Sequence, residues 1–411
     1  LYINSIGAAA GGVAGVGADS SVLVFESLVE AKSASSLTAD TGSIVIYALS
    51  DSFVELAGSS INGAGTAAVG AAIGVIVFKG KTHAYLASGI NITVGKDITI
   101  IAFSNEKITG AVAGIGGAGT AAVGGSVAVV VMNIETTAVI DDYVTVNANG
   151  TLTISAADKS DIITVVGGVS AAGVASVGIA VETTVYQNTV TAKIGNYNHV
   201  TVGAVNMTAV AERKINSHGA MISASGAAAV QGSVIVLNIG SSTDDENANS
   251  VDGHKDLTKD AVSEASTRTD NAVSYNMGMQ IKSDHSNKYI DSLNADLTAY
   301  AKNYTNMSDS IFKKETADKT VAVIGDGGSI TATKGDISVI AKDELTLYTT
   351  AGEIGGSGVA SIGVSAAIGI IAGTAEAQIG GRVQAEGNVI VKAYNIVHIE
   401  EFAAVGGGGS G

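Results

Sequence analysis

The sequence predicts an all-β fold: a parallel β-solenoid built from repeats of about 54 residues and interrupted once by an α-helical insertion. Three observations predict it. The first is a recurring apolar phrase of Gly, Ala and Val, seen in Val112–Ile134 as VAGIGGAGTAAVGGSVAVVVMNI. Its copies align Gly17, Gly70, Gly124, Gly178, Gln231 and Gly363 at one position, with steps of 53, 54, 54, 53 and 132. The second is an independent marker, a turn glycine before a short alternating strand: Gly42, Gly95, Gly150, Gly203, Gly335 and Gly387. Its steps are 53, 55, 53, 132 and 52, so both rulers stretch at the same place, to one period plus about 78 residues. The third is the complete absence of proline from 411 residues. A continuous hydrogen-bond ladder explains that absence, because each proline deletes a backbone donor.

Within one repeat the order is constant. The third runs from the apolar phrase through ETT and AVIDDYVTV to a turn at NANG, then TLTISA, then a polar corner DKSD. Thr, Val and Ile alternating with polar residues, between Asn, Gly and Asp, read as strands joined by tight turns. Dividing 54 residues into three rungs of about 18 gives roughly 18 rungs and a rod on the order of 90 Å. The corner carboxylates Asp51, Glu106, Asp158, Glu212 and Asp343 sit mostly beside Lys107, Lys159, Arg213 or Lys342. Stacked carboxylates suggest Ca²⁺, but the adjacent cations neutralise them, and a solvated corner is the preferred reading.

Residues 1–239 and 320–411 are therefore expected to be solenoid, and residues 240–319 an insertion. The insertion holds 23 charged residues. It places Ile290, Leu293, Leu297, Tyr300 and Tyr304 on one helical stripe, and Leu257, Ala261, Val262 and Ala265 on another. A helical hairpin leaving the rod at a corner follows, with contact to a ligand as its expected use. The chain opens mid-phrase and closes on the start of another, so it reads as a window on a longer array.

Residues 56–78, 108–134, 162–181, 215–243 and 354–375 carry no Asp, Glu, Lys or Arg and are long enough to span a bilayer. Their small residues, the missing aromatic and basic belts, and the β-like segments between them argue against membrane helices. In SVAVVVMNI both alternating sets, Val127/Val129/Val131 and Ala128/Val130/Met132, are apolar, which predicts that the outward face is covered as well. Lateral self-association into filaments or paired rods is the favoured cover, and a second layer of the same chain the alternative.

The sequence shows no catalytic chemistry, and no catalytic, cofactor-binding or metal-binding residue is assigned. No cysteine is present, which excludes disulfides and thiol chemistry. A formal charge of −16 with three arginines argues against nucleic acid and anionic membranes. His83, His199, His218, His254, His285 and His398 are scattered without a metal-binding spacing. Paired carboxylates such as Asp141/Asp142 read as turn residues.

The phrases GTAAVGGSVAVVVMN and VTVNANGTLTISA resemble the repeats of giant secreted bacterial surface proteins, the filamentous-haemagglutinin-like adhesins and leukotoxin-type exoproteins. The resemblance covers the array, about four-fifths of the chain, and rests on texture, so it assigns no site. It implies a non-catalytic β-helical stalk displayed outside a bacterial cell and acting in attachment. A secreted cytotoxin whose apolar phrases act on membranes is the alternative.

Overall fold

The computed structural model describes residues 1–240 and 318–409. The chain opens with β1 (Tyr2–Gly11), β2 (Ala14–Ser33) and β3 (Leu37–Ala39). It then repeats as β4 (Ile44–Ala64), β5 (Ala67–Leu86) and β6 (Asn91–Val94), followed by β7 (Ile98–Ala118), β8 (Ala121–Ile140) and β9 (Thr145–Ala148). The next coil holds β10 (Thr151–Ala172), β11 (Ala175–Ile194) and β12 (His199–Val202). After β13 (Ala204–Ser225) and β14 (Ala228–Ile239) come β15 (Lys319–Ile324) and β16 (Ser329–Ala332). The last strands are β17 (Ile337–Ser357), β18 (Ala360–Ile371), β19 (Thr374–Ile379), β20 (Arg382–Ala385) and β21 (Val389–Gly409).

These strands form three parallel sheets. Sheet A is β1-β4-β7-β10-β13-β17-β21, sheet B contains β2-β5-β8-β11-β14-β18, and sheet C is β3-β6-β9-β12-β16-β20. The solenoid class is as expected, but its coil is not. Leu152 pairs with Ile98 and Thr151 with Ala204, offsets of 54 and 53, so each repeat is one coil and not three rungs. The seven strands of sheet A, spaced about 4.8 Å, stack to roughly 29 Å. The physical reason lies in strand length. The apolar phrase and the segment before it each make a single strand of 20 to 22 residues, because no proline breaks their alternation.

The anchor ruler is the observed register: Gly17 pairs with Gly70, Gly70 with Gly124, Gly124 with Gly178, Gly178 with Gln231 and Gln231 with Gly363. The row is small because sheets A and B close tightly there. A Cβ on Gly124 would lie 2.8 Å from the Val169 carbonyl oxygen across the core, and one on Gly70 would strike the Ile115 carbonyl. Gln231 breaks the row where the facing strand carries Gly355, which leaves its side chain room.

Two apolar cores fill the coil. One lies where sheet C meets A and B, with Ile98, Ile140, Val146, Leu152 and Ile194. The other lies between A and B alone, with Phe78, Ile108, Met132, Ile162 and Leu237. Inward Ala128, Val130 and Met132 are 2%, 2% and 1% exposed. The outward set is dry on sheet B as well. Val75, Val77 and Val131 are buried and cluster with Ile73 and Val129, all from β5 and β8.

The insertion point differs from expectation. It interrupts a strand of sheet B, not a corner. Ile239 pairs with Tyr186 and Lys319 with Thr189, so Gly240 and Asp318 take the places of Gln187 and Asn188. Gly240 adopts φ +74° and its carbonyl accepts the Asp318 N–H at 3.1 Å. The predicted helical hairpin itself lies outside the described residues.

Candidate functional site: a buried charge seam and an uncharged limb

The polar corner is not uniformly solvated. Inward positions of β7 run Ile98, Ile100, Ala102, Ser104, Glu106, and those of β10 run Leu152, Ile154, Ala156, Asp158, Ser160. Glu106, Asp158 and Asp343 are each 1% exposed and Arg213 is 5% exposed, whereas Asp51 and Glu212 face solvent. Glu106, Asp158, Asp343 and Arg213 therefore form a seam between the two apolar cores. Parity decides the sorting, since Lys107 and Lys159 occupy the outward neighbouring positions.

The seam is densely hydrogen-bonded. The Asp158 carboxylate accepts from Ser104 Oγ at 2.6 Å and Asn188 Nδ2 at 2.6 Å, with Tyr186 Oη at 3.2 Å. Ser104 also meets Thr136 across the core at 2.7 Å. Arg213 is clamped between Asp318 and Asp343 through its two terminal nitrogens. Its guanidinium carbon lies 5.9 Å from the Tyr186 ring centroid. Asp318 also accepts the Asn188 backbone N–H at 2.6 Å, which fastens the point where the insertion rejoins the sheet.

Four carboxyls share this seam with one guanidinium, and their protonation follows. Burial, then the charge of Asp158, pushes Glu106 up to about 11, so it is neutral at pH 7. Burial raises Asp318 to about 7 against the lowering pull of Arg213, and it raises Asp343 too. Farther out between A and B, burial lifts Glu182 to about 7 against hydrogen bonds from Ser217 and Thr184. These groups are sealed from solvent, so they bind one another and offer no open face to a substrate.

The outer face is chemically different. Beyond the seam each repeat runs out along sheet A, turns at a glycine, and returns along sheet B. The 27-residue phrase 108–134 is thus one such limb, about 11 residues and roughly 36 Å long. Its outward rows carry no charge. Ile61, Ile115, Val169, Ile222 and Ile354 stand in register on sheet A and are 49%, 37%, 38%, 46% and 63% exposed. Beside them runs an open groove of roughly 610 Å³ lined by Gly117, Ala118, Ala171, Ala172, Ala224 and Ser225 among others. The membrane-length phrases are therefore strands, and among the described residues no helix is long and apolar enough to cross a membrane.

The histidines stay apart. His83 lies 3.4 Å from Glu135, His199 3.0 Å from Ser329 Oγ and His398 3.0 Å from Glu400, while His218 is exposed. His254 and His285 fall outside the described residues. Among the described residues no three His, Cys, Asp or Glu gather as metal ligands. The fold and its rows define a repetitive parallel β-solenoid with a sealed polar seam. Compared with known protein families, curated proteins and solved structures, the chain matches none.

Proposed function

We propose that this chain is a non-catalytic structural segment of an extracellular fibre or adhesin stalk on a bacterial surface, associating laterally through its uncharged limb. The observation that carries the reading is the in-register row Ile61, Ile115, Val169, Ile222 and Ile354, exposed on five successive coils. An exposed apolar strip that crosses a whole sheet without a charge is uncommon on a monomer and is the kind of surface that partners cover. A second copy presents the same strip, and small residues beside it permit close sheet approach. The insertion at 240–319 is proposed as the part that meets a surface or host-cell ligand.

Sedimentation velocity tests the association. Wild type is expected to gain mass with concentration, with little effect of salt because no charge lines the strip. The double variant Ile115→Lys/Val169→Lys is expected to stay at protomer mass with an unchanged circular dichroism spectrum. A wild type that remains monomeric at all concentrations would refute lateral association. The same uncharged limb also supports the cytotoxin reading, which liposome flotation separates: a stalk stays in the soluble fraction and a membrane-active chain floats.

A further inference from the structure

The corner leading into sheet C carries a feature that packing does not require. Gly89, Tyr143, Tyr197 and Gly327 occupy equivalent places two residues before Asn91, Thr145, His199 and Ser329. All four have left-handed backbones, with φ of +75°, +60°, +57° and +70°. The ladder imposes that geometry, because the N–H of Gly89, Tyr143 and Tyr197 each donates to a carbonyl of the next coil. Glycine adopts it without strain, and tyrosine does not. Yet two coils carry tyrosine there, 62% and 52% exposed, so neither ring is held in place by a core. Strain retained for an exposed side chain points to use.

The rings stack on each other, with centroids 5.1 Å apart and planes 11° from parallel. The outer face of Tyr197 is closed by Gly327, where a Cβ would run into the ring. The outer face of Tyr143 looks toward the coil of Gly89, where a Cβ would meet nothing within 4 Å. The stack is therefore one ring short at an open slot. Next to it in the chain and ladder are the outward, uncharged side chains of Ser88, Asn91 and Thr145. Asp142 is engaged, its Oδ1 accepting the Asn196 N–H at 2.6 Å.

We propose that this slot binds a neutral glycan, one pyranose ring lying on the open face of Tyr143 over Gly89 while Asn91 and Thr145 meet its hydroxyls. A sugar ring presents aliphatic hydrogens to the negative face of an aromatic ring and hydroxyls at its rim. The amide and hydroxyl side chains match that rim, and the chain's net charge of −16 opposes an acidic glycan. The inference stands apart from lateral association and uses a different surface.

Native-gel electrophoresis of the full chain in gels containing hydroxyethyl cellulose or soluble starch tests it. Wild type is expected to be retarded by at least one of them, which also assigns the linkage. Tyr143→Gly installs the residue that two other coils already carry at this place, so it is expected to fold with an equal or higher melting temperature. Its retardation should weaken roughly five- to tenfold, the effect of losing one aromatic stacking contact. Tyr143→Phe keeps the ring and should stay retarded, as should Tyr47→Gly on sheet A. Wild type unretarded in both gels, or Tyr143→Gly retarded like wild type, would overturn the proposal.

Discussion

At the scale of single residues, the tightest constraint is the anchor row. A side chain at Gly124 would press on the Val169 carbonyl oxygen at 2.8 Å and on that of Gly114 at 3.3 Å, so sheets A and B would have to part. Gly124→Val is expected to cost about 1–3 kcal/mol through overpacking. Lys159→Ala, on the outward side of the polar corner, should change stability by less than about 0.5 kcal/mol. Urea unfolding of both variants measures the contrast, and equal losses would show that the close approach is unimportant. Pairing of these glycines was legible in the sequence because they recur at one spacing. The burial of Glu106 and Asp158 was legible too, but through parity: each stands an even number of residues from Ile98 or Leu152, on the inward set. Reading the corner by composition hid this, because Glu106 and Asp158 are each followed by an outward lysine.

At the scale of elements, the insertion is the informative one. Its two ends meet within the sheet B ladder, where the Asp318 N–H bonds the Gly240 carbonyl at 3.1 Å. Removing residues 241–317 and joining β14 to β15 should therefore leave register, β-sheet circular dichroism and melting temperature close to wild type. Loss of the β signal would mean that the removed residues hold the sheet together. The shared 132-residue step foretold that the ruler closes across the gap. It could not foretell that the gap opens in mid-strand, because Ile239 and Lys319 look like ordinary strand ends in the sequence. Coil size was hidden for a related reason. An alternating run of 21 residues carries no mark of whether it is one long strand or parts of three short ones, and only pairing partners decide.

At the scale of the whole molecule, the buried carboxyls set an unusual pH dependence. Glu106, Glu182 and Asp318 have folded values of about 11, 7 and 7, all above the ordinary carboxylate range of the unfolded chain. The folded state thus binds these protons more tightly than the unfolded state. Their stabilisation is complete below about pH 4 and is lost as pH rises through the folded values. Melting temperature is expected to be higher at pH 5 than at pH 8, the reverse of ordinary acid denaturation. Thermal scans at the two pH values check this, and a lower melting temperature at pH 5 would contradict the seam as described.

The mid-strand break carries one more consequence. Gln187 and Asn188 in one coil, Gly240 and Asp318 in the next, and Ala372 and Gly373 in the one after fill the same two seats. The first pair continues a regular strand, the second brackets 77 residues, and the third interrupts the strand with nothing added. Flanking strands keep their register in all three cases. Each coil thus offers a splice socket that accepts cargo without retuning its neighbours, and such an array can acquire new appendages one coil at a time while its scaffold stays unchanged.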